Sequence, residues 1–235
     1  MHEQPPQRRI RSFVRRQGRL TTSQQQALES LWPHYGLDPE AGMLNPDTLV
    51  PAQGKLTLEI GFGNGAGLAQ MADADRASSF IGIEVHRPGV GHLLLEIQQR
   101  KLDNVRIYCA DAIDVLRNCI PAHSLDRVCL FFPDPWHKKR HHKRRIVNQD
   151  FLELITSRLV PGGIFHAATD WEDYAWQMLQ TLDGFAGLHN SQPTGGFTPR
   201  PGWRPLTRFE QRGQRLGHGV WDLIYMAESS EASSP

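Results

Sequence analysis

The sequence has few cysteines and no long apolar run, and both absences restrict what the chain can be. Its 235 residues include three cysteines, Cys109, Cys119 and Cys129, which are odd in number and lack the spacing of a metal site. They predict reduced thiols in a cytoplasmic protein. No segment reaches the roughly 18–20 apolar residues that a membrane helix needs, and no apolar signal core follows the basic start. We therefore expect no membrane association.

The net charge of +1 hides a separation of charge along the chain. Six arginines lie between Arg8 and Arg19, and every residue from His137 to Arg145 is Lys, Arg or His. A run of charge is commonly just a solvated face. Two concentrated positive segments in a nearly neutral protein nevertheless favour a localised surface for a polyanion.

The length and the absence of internal repeats predict one large domain. We expect a basic, flexible arm at residues 1–20, a single domain at 21–227 and a disordered tail at 228–235. Thr21 or Thr22 is expected to cap a helix through Leu31. Pro33, Gly36 and Pro39 are then expected to break regular structure.

From Lys55 onward, short apolar runs alternate with segments of helix length. The predicted strands are Leu56–Ile60, Phe80–Val85, Val105–Cys109, Arg127–Phe132, Ile164–Ala168 and Val220–Met226. The predicted helices are Gly67–Ala72, Pro88–Arg100, Ala112–Arg117, Asn148–Leu159 and Trp171–Leu182. This alternation predicts an α/β fold with a mostly parallel sheet and helices on both faces. Ligands of such sheets bind at the carboxyl ends of the strands.

A glycine-rich loop follows the first predicted strand. Gly61, Gly63 and Gly65 allow a sharp turn and a close approach of a ligand to the backbone. The spacing Gly61-x-Gly63-x-x-Ala66 also satisfies the dinucleotide-binding fingerprint. The loop can also be interpreted as a purely structural turn that binds no ligand.

Acidic residues stand at the ends of three successive predicted strands. Glu59 precedes the glycines, where a carboxylate suits the ammonium of a methionine-type tail and would repel a pyrophosphate. Glu84 ends the second strand, from which an acid reaches ribose hydroxyls. Asp111 ends the third and is placed to accept a hydrogen bond from an adenine amino group, although it is equally suited to cap the following helix. The arrangement from Lys55 to Asp134 resembles the class I S-adenosylmethionine-dependent methyltransferases.

The fourth predicted strand runs directly into Phe131–Trp136, which reads Phe-Phe-Pro-Asp-Pro-Trp. Pro133 and Pro135 restrict the backbone around Asp134 and hold its carboxylate in place. The aromatic neighbours can form the wall of a slot for a base. In form the loop is similar to the acidic or amide residue, proline and aromatic that amino-group methyltransferases place after this strand. The alternative is a rigid turn with a helix-capping aspartate.

The basic run His137–Arg145 adjoins this loop. It lacks the spacing of a zinc site, so we expect no metal. Six permanent cations beside a candidate catalytic loop would attract phosphates, which position a substrate without specifying it. The run therefore favours a nucleic acid over a small metabolite.

The chemistry of methyl transfer restricts which atom can accept the methyl group. Methyl transfer from a sulfonium is an in-line displacement that depends on alignment. No cysteine follows a proline, as the nucleophile of a pyrimidine-C5 methyltransferase does, so an acceptor with its own lone pair is expected. Guanine N7 is such an atom. It has no proton to lose and becomes positive, and Asp134 would stabilise that charge.

Several ordered motifs resemble one family, the bacterial tRNA (guanine-N7-)-methyltransferases. They are 58–65, 82–86, 132–141, 143–145, 169–171 and 207–210, within a resemblance that covers about 11–226. The resemblance implies a Rossmann-like fold with a seven-stranded sheet and methylation of the variable-loop guanine at position 46. It implies that S-adenosylmethionine contacts Glu59, Gly61, Gly63, Gly65, Glu84, Asp111 and Asp134, with Asp134 also catalytic.

The same resemblance assigns a tRNA side to the site. It implies substrate contacts from Lys138, Asp170, Thr207, Arg208, Phe209 and Glu210. Guanine offers N1–H and an amino group as donors, so Glu210 or Asp170 could accept from it. Without the family match, Asp170 would be interpreted as a helix cap and Thr207–Glu210 as a loop. We expect no obligatory protein partner and a monomer rather than a homodimer.

Two further functions compete with an RNA methyltransferase. One is a nicotinamide-dependent oxidoreductase that uses the same glycine loop, which Glu59 and Asp134 disfavour. The other is a non-catalytic RNA-binding module with a decayed cofactor pocket, which the complete set of strand-end acids disfavours.

Overall fold

The computed structural model describes residues 12–13, 18–49, 54–206, 210 and 219–228. Eight strands form one sheet. They are β1 (Gly36–Leu37), β2 (Leu56–Ile60), β3 (Ser79–Ile83), β4 (Val105–Tyr108), β5 (Leu125–Phe131), β6 (Leu159–Thr169), β7 (Leu188–Asn190) and β8 (Trp221–Ala227). Their order is β1-β4-β3-β2-β5-β6-β8-β7. All neighbours are parallel except β8, which is antiparallel to both β6 and β7.

Helices cover both faces of this sheet. They are α1 (Thr22–Ser30), α2 (Trp32–Tyr35), α3 (Ala66–Ala74), α4 (Arg87–Arg100), α5 (Ala112–Asn118), α6 (Gln149–Thr156) and α7 (Glu172–Asp183). Apolar residues of α1, α3 and α4 form one buried cluster, and those of α5, α6 and α7 form the other. The predicted α/β class with helices on both faces is confirmed. In the described part of the chain no helix has the length and apolar character needed to span a membrane.

The strands β2 and β3 are buried along their whole length, as expected for parallel strands between two helical layers. Gly82 in β3 shows how closely the layers pack, since an added Cβ would lie 2.6 Å from Leu68 Cδ2. The predicted cap of α1 is also confirmed. Thr21 Oγ1 accepts from the Gln24 amide at 3.2 Å, and Gln24 Oε1 accepts from the Thr21 amide at 2.9 Å.

Two predictions about the first part of the chain are wrong. The sheet has eight strands rather than seven, because the two-residue β1 pairs with β4 at its edge. The expected break at Pro33, Gly36 and Pro39 instead holds α2, β1 and a short 3-10 helix at Pro39–Ala41. Gly36 is needed there for packing, since an added Cβ would lie 2.3 Å from Trp32 Cε2.

In the second part of the chain, one predicted helix is too long and one strand was missed. The helix expected at Asn148–Leu159 ends at Thr156, because Leu159 begins β6 and pairs with Leu125. The strand β7 was not predicted. Most of the expected arm and nearly all of the expected tail lie outside the described residues, so the division at residues 20 and 227 stays a prediction.

Candidate cofactor and active site

The glycine loop lies at the carboxyl edge of the sheet, between β2 and α3. Gly61, Gly63 and Gly65 all have positive φ, at 69°, 62° and 76°, which side chains with a Cβ rarely adopt. Added Cβ atoms at Gly61 and Gly63 would meet nothing within 4 Å. The loop therefore presents open backbone to a neighbouring ligand.

Glu84, at the end of β3, fixes this loop. Its Oε2 accepts from the Gly63 amide at 2.9 Å, and its Oε1 accepts from the amides of Val85 and His86 at 2.7 and 3.0 Å. The carboxylate is buried but still lines a cavity, the strand-end cavity, together with Gly61, Asp111 and Asp134. The structure thus brings four of the predicted cofactor residues to one cavity.

Asp111 caps α5, as one interpretation of the sequence predicted. Its Oδ1 accepts from the Ile113 amide at 3.0 Å. Because Asp111 also lines the strand-end cavity, the cap does not exclude a cofactor contact. Each carboxylate oxygen can accept more than one hydrogen bond.

Glu59, at the end of β2, is a buried acid whose Oε2 has no hydrogen-bond partner among the described residues. Burial raises its pKa to about 8, with a smaller contribution from the charge of Glu84. Glu59 lines a second cavity, the Glu59 cavity, which shares Gly61 and Phe132 with the strand-end cavity. A buried carboxylate with an open oxygen beside a cavity is suited to bind a cation.

The loop after β5 holds Asp134 where two cavities meet. Asp134 is exposed and lines both the strand-end cavity and the basic-loop cavity, whose other residues include His86, Trp136 and Lys138. Phe132 and Trp136 flank the loop with positive φ of 52° and 50°. A strained backbone on both sides of one carboxylate is typical of functional loops.

The basic run divides into cations that hold the loop and cations that face solvent. Arg145 is buried, donates to the Pro135 carbonyl at 2.9 Å and pairs with Asp173 at 2.5 Å. The Arg144 guanidinium lies 4.0 Å from the centre of the Trp136 ring. Two of the six cations expected to attract phosphates, Arg144 and Arg145, thus contact groups of the protein itself. The four exposed ones are Lys138, Lys139, Arg140 and Lys143.

A contact that the sequence did not predict joins the start of the chain to this loop. Trp136 Nε1 donates to the Ser12 carbonyl at 3.1 Å, and Arg144 Nη2 donates to the Phe13 carbonyl at 3.2 Å. Ser12 and Phe13 also line the strand-end cavity. Ser12 and Phe13 of the expected arm therefore lie against the loop that carries Asp134.

The predicted substrate residues are only partly brought together. Lys138 lines the basic-loop cavity with Asp134. Asp170 is half-buried and directly precedes Trp171, which is the N-cap of α7. Asp170 is therefore not the cap of this helix. Thr207, Arg208 and Phe209 lie outside the described residues. Glu210 is buried, and Arg204 donates to both of its carboxylate oxygens at 2.7 and 2.8 Å.

Glu210 belongs to a buried charge cluster, made of His166, Arg204, Glu210 and Asp222, that the sequence did not predict. Arg204 Nη2 donates to Asp222 Oδ2 at 2.9 Å, and His166 Nε2 lies 2.7 Å from Asp222 Oδ1. Burial lowers the pKa of His166, against the effect of Asp222, so the neutral ring donates from Nε2. The cluster lies near the rings of Phe131 and Phe132, 5.9 and 5.8 Å from the Arg204 guanidinium.

Known proteins similar to this chain identify its family. The chain is 60% identical to the tRNA (guanine-N(7)-)-methyltransferase of Methylococcus capsulatus over 225 residues, which cover 96% of each chain. It is 55% identical to the enzyme of the same name from Alcanivorax borkumensis over 229 residues, 95% of this chain and 96% of that one. A family model described as "Putative methyltransferase" matches residues 53–223.

The chain belongs to the bacterial tRNA (guanine-N7-)-methyltransferase family.

Solved structures agree on the fold. The 16S rRNA (adenine(1408)-N(1))-methyltransferase of Catenulisporales acidiphilia superposes with a TM-score of 0.54 at 14% identity, over 84% of this chain and 95% of that one. The aminoglycoside resistance methyltransferase NpmB1 gives 0.52 at 18% identity, over 77% and 90%. The Rossmann-like class I methyltransferase fold is confirmed, and the nicotinamide oxidoreductase considered from the sequence is wrong.

The cofactor of this family is S-adenosylmethionine, and the strand-end residues fit it. The open oxygen of Glu59 suits the ammonium of its methionine tail, and Gly61 and Gly63 leave room for a ligand beside the backbone. Among the described residues, no group of three or more His, Cys, Asp or Glu is arranged to hold a metal ion.

Proposed function

We propose that this protein transfers a methyl group from S-adenosylmethionine to N7 of a guanine in tRNA. One observation carries the proposal beyond family membership. Asp134 lies where the strand-end cavity, suited to the cofactor, meets the basic-loop cavity, suited to an RNA. An acceptor base in the second cavity would therefore approach a cofactor in the first past this carboxylate.

The chain's own residues would contribute binding and alignment. Glu59 would bind the ammonium of the methionine tail, Glu84 the ribose hydroxyls and Asp111 the adenine amino group. Gly61, Gly63 and Gly65 would let the cofactor approach the backbone. When bound, the cofactor supplies an electrophilic methyl group on a sulfonium.

The reaction needs no base. The lone pair of guanine N7 would form the bond to the methyl carbon, and the electron pair of the broken carbon–sulfur bond would stay on sulfur. The positive charge moves to the guanine ring, and no proton leaves N7. Asp134 would align the acceptor and stabilise the charge that develops on it.

On the substrate side, Lys138 and its exposed neighbours would bind phosphates, and Asp170 and the segment Thr207–Glu210 would contact the guanine. Glu210 is the least direct of these assignments, because Arg204 occupies both of its carboxylate oxygens. Its remaining lone pairs would have to serve the base.

We further propose that the methylated residue is the variable-loop guanine at position 46, and that the protein acts in the cytoplasm as a monomer without an obligatory protein partner. The decisive experiment is transfer of labelled methyl to unmodified tRNA, followed by chemical cleavage at N7-methylguanine. Label at one variable-loop guanine is expected. Label at another guanine would refute the position, and RNA binding without transfer would favour the non-catalytic module.

A further inference from the structure

Trp171 places an indole in solvent beside the catalytic loop. Trp171 is 38% exposed and is one of four exposed large apolar residues among those that the structure describes. The other three are Met43, Trp176 and Met226. Trp171 differs from them because it directly follows Asp170, which the family resemblance places on the tRNA side.

The indole does not contribute a hydrogen bond to the start of α7. Trp171 is the N-cap of α7 but makes no side-chain cap hydrogen bond. Its amide donates to Thr169 Oγ1 at 3.2 Å, and its carbonyl accepts from the Ala175 amide at 2.9 Å. Any residue except proline could supply these backbone groups, and Ser, Thr, Asp or Asn would cap the helix better.

The ring is oriented toward the candidate RNA surface. Its centre lies 4.1 Å from that of His137, at an interplanar angle of 63°. His137 lines the basic-loop cavity with Asp134 and Lys138. Trp171 is therefore one side chain removed from the cavity in which the acceptor base is expected.

The charges near the ring are predominantly positive on the loop side. Lys138, Lys139 and Arg140 follow His137 and are exposed. On the helix side, Asp173 is paired with Arg145, while Asp170 and Glu172 are acidic neighbours in the chain. An exposed aromatic ring in contact with the first residue of a basic run resembles the combination of stacking rings and cations with which proteins bind single-stranded nucleic acid.

We propose that Trp171, supported by His137, is a stacking platform for an unpaired nucleotide next to the methylated guanine. The proposal rests on the proposed function, because it takes tRNA as the ligand. The base would stack on the indole, and Lys138 and Lys139 would bind the flanking phosphates. Stacking tolerates any base, so the platform would contribute affinity and alignment rather than sequence selectivity.

The test is the affinity of the full-length protein for an unmodified tRNA transcript. Trp171→Ala should raise the Kd about 5- to 150-fold, the range for loss of one stacked base, whereas Trp171→Phe should keep most of the affinity. The matched control is Trp176→Ala, since Trp176 is 51% exposed on the same helix but packs against Phe197 at 5.0 Å. It should bind tRNA as the wild type does.

Two further measurements separate stacking from other roles. The slope of log Kobs against log salt concentration should be unchanged in Trp171→Ala, because no phosphate contact is lost. A 2-aminopurine placed beside the target guanine should be quenched on binding wild type but not Trp171→Ala. Unchanged affinity, an equal loss in Trp176→Ala, a changed affinity for S-adenosylmethionine or a changed oligomeric state would overturn the proposal.

Failure of the proposed function would look different. Wild-type protein that binds tRNA but methylates no guanine would refute the reaction, while the binding and quenching measurements would still decide the role of Trp171.

Discussion

At the scale of single residues, Glu59 is expected to favour cofactor binding but to lower the stability of the protein without cofactor. Its pKa rises from an ordinary value of 4.5 to about 8 through burial. The folded protein thus keeps a proton that the unfolded chain loses, so stability without cofactor falls as the pH rises from about 4.5 to about 8. We expect Glu59→Gln to remove this dependence of stability on pH. Each unit by which the pKa differs between the folded and unfolded protein corresponds to about 1.4 kcal/mol in the free energy of unfolding.

Thermal unfolding at pH 5 and pH 8.5 measures this effect. The stability of Glu59→Gln relative to the wild type should be greater at pH 8.5 than at pH 5. The variant should also bind S-adenosylmethionine more weakly. Glu96→Gln is the control, because Glu96 is paired with Arg100 at 2.9 Å near the surface. The same pH dependence in wild type and Glu59→Gln would contradict the argument.

The same group should couple cofactor binding to proton release. An ammonium beside Glu59 favours the ionised carboxylate, so about one proton should leave on binding near pH 7, and affinity should rise with pH up to about 8. Calorimetry in two buffers of different ionisation enthalpy counts this proton. 5′-Methylthioadenosine lacks the ammonium and should release none, and release with both ligands would place the proton on another group.

Asp134 should act on the reaction rather than on cofactor affinity. Asp134→Asn keeps the shape of the side chain but removes the charge that would stabilise the methylated guanine. We expect kcat to fall about 100- to 1000-fold, with a much smaller change in the Kd for S-adenosylmethionine. Single-turnover methyl transfer and calorimetry measure the two quantities, and equal losses in both would reduce Asp134 to a cofactor-binding residue.

At the scale of elements, Arg145 fixes the loop that carries Asp134 to α7. Its bonds to the Pro135 carbonyl and Asp173, and its position 4.7 Å from the Tyr174 ring, join the two segments. We expect Arg145→Met to lower the free energy of unfolding by about 2–3 kcal/mol and to reduce turnover with it. Asp173→Asn should cost less than about 1 kcal/mol, because Asp173 is 65% exposed. Urea unfolding measures both, and equal losses would contradict this account.

The elements that the sequence predicted correctly have strong local signals. The cap at Thr21 and the bulky apolar residues of β2 and β3 are visible in the sequence itself. The end of α6 is not. Leu159 has helical spacing from Leu152 and Ile155, and only its pairing with Leu125 makes it a strand residue. That pairing depends on a distant segment, which local periodicity does not contain.

The candidate site divides in the same way. Glycines, strand-end acids and the Asp134 loop were predictable because each lies at or close to the carboxyl end of a strand, and parallel strands end at one edge. The buried charge cluster was not, since His166 and Asp222 are far apart in the chain and meet only through the antiparallel pairing of β6 with β8. The division of the basic run into buried and exposed cations likewise depends on tertiary contacts.

At the scale of the whole molecule, exposed cations lie at both edges of the sheet. Lys138, Lys139 and Arg140 are exposed at the carboxyl edge, next to Asp134, while Lys55 is exposed where β2 begins at the opposite edge. Only cations that contact phosphates release counterions when tRNA binds. The position of a lysine, rather than the net charge of +1, should therefore decide its effect on binding.

This argument predicts how tRNA affinity depends on salt. Each alanine substitution at Lys138, Lys139 or Arg140 should reduce the slope of log Kobs against log salt concentration by about 1, because one phosphate contact is lost. Lys55→Ala removes the same charge from the far edge and should leave the slope unchanged. Arg145→Met should also leave it unchanged, since its guanidinium is buried against Asp173. Equal slopes for Lys139→Ala and Lys55→Ala would mean that tRNA does not bind across the catalytic loop.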